Sequence, residues 1–241
     1  MNSLYVNKII DFSFVDGPGN RLAIFLQGCN LNCGYCHNPE TIPDAKVNSY
    51  TVQQLYDYIA KRKDFITGIT VSGGECTLQW QALIELFSLL KRETALTIFI
   101  DSNGNIDSEG LSYLLPLTDA FMLDIKAIDD DVHHQITKTS NEVILETVRA
   151  VHKQNKLYEL RYVLIPGIND SVDDLKKLAN FVLSLGDHPP LVLIPYRNHG
   201  VKGHFKSIPS MEKKQYNYAK ETLSSQGLKK IIEKNNFFTK K

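Results

Sequence analysis

Six short apolar runs, each followed by a stretch in which apolar positions recur every three or four residues, set the plan of the chain. The runs are Arg21–Gln27, Gly68–Ser72, Leu96–Asp101, Ala120–Asp124, Glu159–Ile165 and Leu191–Pro195. Runs this short and this apolar read as strands buried on both faces. Between them, Val52, Leu55, Tyr56 and Ile59 fall on one face of a helix running from Thr51, its cap, to about Asp64. Leu83, Leu86, Phe87 and Leu90 do the same for Gln79–Arg92, and Leu175, Leu178, Ala179 and Val182 for Ser171–Leu185. Further helices are predicted at Ser108–Leu115 with a serine cap, at Glu142–Asn155 and at Met211–Gln226. Such alternation predicts an α/β fold in which helices cover a parallel sheet. Six β/α units fall short of the eight of a closed barrel. The expected architecture is therefore an open, partial (β/α)6 TIM-like barrel with its reactive groups on the loops after the strands.

The length of 241 residues suits one buried core, and no repeat, low-complexity linker or break in composition divides it. A single domain over 1–241 is expected, with a core at about 10–203 and a C-terminal helix and tail at 204–241. The last residues are polar and basic around Phe237 and Phe238, as in a frayed end or a flap docked by those rings. Lys plus Arg and Asp plus Glu are equal at 27 each, so no excess charge draws the chain to nucleic acid or to an anionic membrane. No apolar run approaches the roughly 18–20 residues of a membrane span, and Met1–Ile10 lacks the layout of a signal peptide. A cytoplasmic location follows as the expectation. Four cysteines without a secretory segment point the same way, to a reducing compartment.

Three of those four lie in one loop, Cys29-Asn-Leu-Asn-Cys33-Gly-Tyr-Cys36, directly after the first predicted strand. A structural zinc usually takes four protein ligands in two separated pairs, and no second pair is present; His37 could complete a zinc site only within the same short loop. Three thiolates can instead hold an iron–sulfur cube with one iron left open. Ser72-Gly-Gly-Glu75 follows the second strand, where paired glycines let a ligand approach the backbone, or simply form a turn. Asp101-Ser-Asn-Gly104 and Met122-Leu-Asp-Ile-Lys126 follow the third and fourth strands; on their own they read as turn chemistry and a strand-end carboxylate paired with lysine. Arg161, on the fifth strand, requires a carboxylate partner if it faces the interior. Asp16-Gly-Pro-Gly19 reads as a tight turn.

Together these motifs resemble a known family. The C-x3-C-x2-C loop with Tyr35 before its last cysteine resembles the signature of the radical S-adenosylmethionine (SAM) enzymes. That resemblance implies a [4Fe–4S] cluster on Cys29, Cys33 and Cys36, whose open iron binds the amino and carboxylate groups of SAM, and whose electron cleaves SAM to a 5′-deoxyadenosyl radical. S-G-G-E resembles the family's G-G-E motif and implies SAM binding by Ser72, Gly73, Gly74 and Glu75. D-S-N-G, M-L-D-I-K, R-Y-V and D-G-P-G resemble motifs of the activases of glycyl radical enzymes, of the pyruvate formate-lyase activase type.

In that group the resemblance assigns Asp101 and Asp124 to a monovalent cation, with the Ser102 and Met122 carbonyls beside them. It also assigns Asp101, Ser102, Lys126 and Arg161 to SAM, with SAM, Glu75 or a purely structural salt bridge as the alternatives for the partner of Arg161, and Asp16 to the peptide substrate. In Pro195–Gly200, Arg197 stands where pyruvate formate-lyase activase has a SAM-contacting histidine, and His199 is the candidate substitute. The resemblance runs from Ile10 to about Gly203 and looks closest to the YjjW type. The ferredoxin-like insertion of many members is missing between Cys36 and Gly73, so a single cluster is implied, and Cys76 has no catalytic role. The implied activity is hydrogen abstraction from a backbone glycine of a partner glycyl radical enzyme, YjjI-like by the nearest resemblance, in an anaerobic setting. Flavodoxin or ferredoxin would supply the electron, and a monomer is expected. The alternatives are a radical SAM enzyme of the carboxy-deazaguanine synthase kind, acting on a small molecule, and a zinc-binding interaction module without catalysis.

Overall fold

The computed structural model describes residues 2–45, 47–201, 203–233 and 238. In chain order the elements are β1 (Ser3–Ser13), β2 (Arg21–Leu26), β3 (Asn48–Thr51), α1 (Val52–Ala60), β4 (Gly68–Gly73), α2 (Trp80–Glu93), β5 (Thr97–Ser102) and α3 (Ser108–Leu117). They continue with β6 (Ala120–Asp124), α4 (Asp130–Thr137), α5 (Glu142–Lys153), β7 (Leu157–Leu164), α6 (Val172–Ser184), β8 (Leu191–Pro195), α7 (Lys213–Ser225) and β9 (Ile231–Ile232). The six strands expected from the apolar runs, β2 and β4 to β8, pair in succession and all in parallel. Three more strands extend this sheet to the order β3-β1-β2-β4-β5-β6-β7-β8-β9. Its two ends, β3 and β9, are not paired with each other, so the barrel is open as expected.

The added strands carry weak sequence signals. β1 is an antiparallel neighbour of β2 with two bulges, and polar Asn7, Lys8 and Asp11 break its pattern. Helix α4 was hidden in the same way, because its eight residues offer mainly His133 and Ile136 to the interior. Asp129 caps it by accepting from the Asp131 and Val132 amides. Thr51 and Ser171 cap α1 and α6 as reciprocal boxes, whereas α3 is capped by Asp107 and not by Ser108.

Side chains alternate across each strand. Those turned toward the helices, including Ile69, Val71, Ile98, Ile100, Phe121, Leu123, Leu160 and Leu193, form the main core. The other face is mixed: Phe99, Ala120 and Met122 form a small apolar cluster, and polar residues share their register above and below. At the amino end of β2, Arg21 is fully buried. Its guanidinium donates to the Thr70 and Thr97 hydroxyls at 2.8 and 2.9 Å and lies 4.1 Å from the centre of the Phe99 ring. Burial lowers its pKa to about 10, so it remains charged at neutral pH.

A second cluster, of Tyr35, Ala127, Ile136, Ile165, Tyr196, Val201 and Phe205, ties the cysteine loop to α4 and to the chain beyond β8. Helix α7 packs on α6, and Tyr216 on it is fully buried, its hydroxyl donating to the Leu193 carbonyl at 3.3 Å. Phe238 docks on that tyrosine with ring centres 5.4 Å apart, while Phe237 lies outside the described residues. Among the described residues no helix is long and apolar enough to cross a membrane.

Candidate active site

The cysteine loop leaves β2 and is held by backbone bonds from two sides. Gly28 and Cys29 donate to the Thr41 and Ile42 carbonyls at 2.9 and 3.1 Å; Asn32 and Gly34 donate to the Thr137 and Ile136 carbonyls at the carboxyl end of α4, at 3.1 and 2.9 Å. Gly34 is required by contact: a Cβ there would lie 2.1 Å from the Phe205 ring. Cys29, Cys33 and Cys36 are free and half-buried. Burial raises all three thiols, Cys33 to about 11, while the Lys126 charge pulls each back toward the thiolate. Among the described residues, no three His, Cys, Asp or Glu groups converge on a single ion position.

The three thiols open onto a cavity of about 510 Å³ at the carboxyl ends of the strands, within the range of cofactor sites. Ser72, Gly73 and Gly74 line it from β4 and the turn after it, Asp101 and Ser102 from β5, Asp124 and Lys126 from β6 and its loop, and Arg161 from β7. The paired glycines also have a role inside the protein. A Cβ on Gly73, whose φ is +126°, would meet the Leu26 backbone at 2.2 Å, and one on Gly74 would meet the Gly28 carbonyl oxygen at 2.2 Å. Gly74 and Glu75 donate to the Leu26 and Gly28 carbonyls at 3.1 and 2.7 Å, so β4 runs directly against the start of the cysteine loop.

Charged side chains cross the cavity floor as a chain of pairs. Arg161 donates to Asp101 at 2.9 Å and to Glu159 at 2.7 Å; Lys126 donates to Asp124 at 2.6 Å. Ser72 adds a hydroxyl to Asp101 at 3.0 Å. Burial works against charge on both cations, but the carboxylates prevail and hold Arg161 and Lys126 protonated above their usual ranges. Burial pushes the Asp101 carboxyl up, and Arg161 partly offsets it. Arg197 adds a third cation to the lining, so Asp101 and Asp124 do not outnumber the cationic side chains around the cavity.

Not every expected residue reaches this cavity. Glu75 is fully buried behind its wall, accepting from the Ser102 hydroxyl at 2.9 Å, the Asn103 amide at 2.8 Å and the Thr77 hydroxyl at 2.6 Å. Its oxygens are thus occupied within the protein, and Asp101 and Glu159 are the partners of Arg161 in place of Glu75. His199 stands on the exposed loop beyond β8, away from the cavity; Arg197 lines it, and the Arg197 carbonyl accepts from His37 Nε2 at 3.0 Å. Asp16 lies between β1 and β2, accepting from Ser13 Oγ at 2.5 Å through its carboxylate and from Thr70 Oγ1 at 2.5 Å through its carbonyl. Sequence reasoning missed Thr41, Ile42, Val163 and Ile194 in the lining. Pro39 at the start of its short helical turn was the one local signal for the segment that supplies Thr41 and Ile42.

The sequence profile of the radical SAM superfamily matches residues 23–182. The pyruvate formate-lyase-activating enzyme of Streptococcus mutans is 38% identical over 206 residues, spanning 81% of this chain and 78% of its own. A Haemophilus influenzae protein named for glycyl-radical enzyme activation is 35% identical over 235 residues, spanning 86% of this chain and 88% of its own. Among solved structures, a domain of the pyruvate-formate lyase-activating enzyme of Bacteroides vulgatus superposes with a TM-score of 0.59 at 25% identity, covering 70% of this chain and 99% of that one.

Proposed function

This chain belongs to the radical SAM superfamily, among the activating enzymes just described, and we propose that it activates a partner glycyl radical enzyme by abstracting hydrogen from one of its backbone glycines. The observation that carries the reading is the single cavity onto which the three thiols, the β4 glycine turn and the Asp101–Arg161 and Asp124–Lys126 pairs all open. Soft thiolates are the donor set of an iron–sulfur cluster, and three of them suit a [4Fe–4S] cluster with one iron available to SAM. When bound, cluster and SAM together supply a reductive cleavage that yields the hydrogen-abstracting radical.

The chain's own residues provide the binding, charge and shielding. Ser72, Gly73 and Gly74 offer backbone groups where the β4 turn meets the loop. Lys126 and Arg161, kept charged by their carboxylates, are placed to take the carboxylate of SAM. Ser102 and Asp101 supply acceptors on the same wall. Glu75 serves the SAM site indirectly, by fixing Ser102 and Asn103. Asp101, Asp124 and the Ser102 and Met122 carbonyls are assigned to a monovalent cation. Asp16, on its loop beside β2 and β4, is assigned to the incoming peptide; Arg197 takes the position first given to His199. A YjjI-like partner, a flavodoxin or ferredoxin donor, a monomeric state and a cytoplasmic location complete the proposal.

The test is anaerobic reconstitution with iron and sulfide, then addition of SAM, a reductant and the candidate partner, read by electron paramagnetic resonance. A glycyl doublet that disappears with Cys33→Ala is expected. Deoxyadenosine without a protein radical would send the search to another substrate, and zinc uptake without iron would overturn the reading.

A further inference from the structure

The Asn103 amide is held so firmly that its orientation can be read from its partners. Its Oδ1 accepts from the Asn105 backbone N–H at 2.8 Å, which only the oxygen end can do. The amino end therefore faces Asn30 Oδ1 at 3.0 Å and Cys29 Sγ at 3.7 Å. Asn30 agrees independently: its own Nδ2 donates to the Asn105 carbonyl at 2.6 Å, which turns its oxygen toward Asn103. The Asn103 main-chain N–H is fixed on Glu75, and the residue is only 7% exposed. Leu31 sends a second N–H to the same sulfur, at 3.5 Å, but from the backbone.

We infer that Asn103 is a positioning residue that donates an N–H···S hydrogen bond to the Cys29 thiolate and thereby raises the reduction potential of the cluster. The inference rests on the loop being the cluster site proposed above. Reduction adds negative charge to the cluster and its thiolates, so a donor aimed at one sulfur stabilises the reduced state more than the oxidised one. Hydrogen bonds to ligand sulfurs are among the main levers on such potentials. Of the two N–H groups on Cys29, the Asn103 side chain is the one a substitution can remove. The same residue also joins Glu75 to the thiolate, so the wall of the SAM site and the cluster loop share one support.

Potentiometric titration of the reconstituted cluster, followed by the electron paramagnetic resonance signal of its reduced form, tests this. Asn103→Ala should lower the midpoint by up to a tenfold change in the one-electron equilibrium, about 59 mV. Asn103→Asp should lower it further: the isosteric carboxylate still accepts from Asn105 but turns a charge, in place of a donor, toward the sulfur. A residue that merely supported the loop would leave the Asn103→Ala midpoint in place, whereas the added charge of Asn103→Asp lowers its midpoint in either case. An Asn103→Ala protein with full iron content and an unmoved or raised midpoint overturns the inference. If Asn103→Ala retains no cluster, Asn103→Leu, of similar size and without a donor, decides, and a midpoint at or above the wild type overturns it. Failure of the wild type to take up a cluster would instead overturn the reading of the loop, and this inference with it.

Discussion

Single residues carry more of this site's architecture than their motifs announce. Gly34 sits inside the cysteine signature, yet nothing in the spacing says why it is glycine; the reason is a ring from residue 205 lying against it. Gly34→Ala should push Phe205 off the loop and cost most of the iron taken up on reconstitution, measured as iron per chain, although alanine is only one carbon larger. Glu75 offers a second case. The turn after β4 was legible as a binding motif, but a sequence does not show that the carboxylate is spent on Ser102, Asn103 and Thr77. Glu75→Ala strands those buried donors and should cost about 3 kcal/mol, a loss of about 2–4 °C in melting temperature per kcal/mol. Glu75→Gln, which keeps one acceptor oxygen, should cost less.

At the scale of elements, the parallel strands were legible because each is a compact apolar run bounded by turn residues. The elements that escaped are those whose apolar face is short or half-exposed, β1 and α4 among them, and their stability comes from pairing and capping and not from periodicity. Helix α4 nevertheless bears directly on the site, since its last carbonyls hold Asn32 and Gly34. At its centre His133 is fully buried, with Nδ1 at 2.7 Å from the Thr139 carbonyl; its Nε2 has no partner among the described residues. Burial depresses its pKa below the ordinary 6.5, and the Lys126 charge adds to the effect, while the Thr139 carbonyl and Asp130 work the other way. The unfolded chain takes up this proton more readily than the folded one. The stability due to neutral His133 is therefore complete above about pH 6.5 and lost as the pH falls through the folded value. Thermal melts from pH 8 to pH 5 should show that decline. With His133→Gln, which keeps a donor for Thr139, the part due to this residue should vanish.

For the whole molecule, the open barrel and its mouth of reactive loops were foreseeable from the count of β/α units, whereas the division of labour across the sheet was not. Apolar runs concealed a polar inner face, because Thr70, Asp124 and Arg161 each sit between apolar neighbours, and Ser72 and Asp101 each close an apolar run. The chain beyond β8 is likewise more than an appendage: β9 pairs with β8, and Tyr216 reaches the Leu193 carbonyl. Truncation after Ile208 should abolish the cooperative thermal transition seen by circular dichroism; a tail that folds separately would leave the melt of the remainder intact. The contact between Gly34 and Phe205 also has a meaning in time. Synthesis delivers the three thiols well before their aromatic cover, so a nascent chain exposes the cysteines to oxidants and stray metals until Phe205 has emerged. Orderly loading of this protein belongs after Phe205 has left the ribosome.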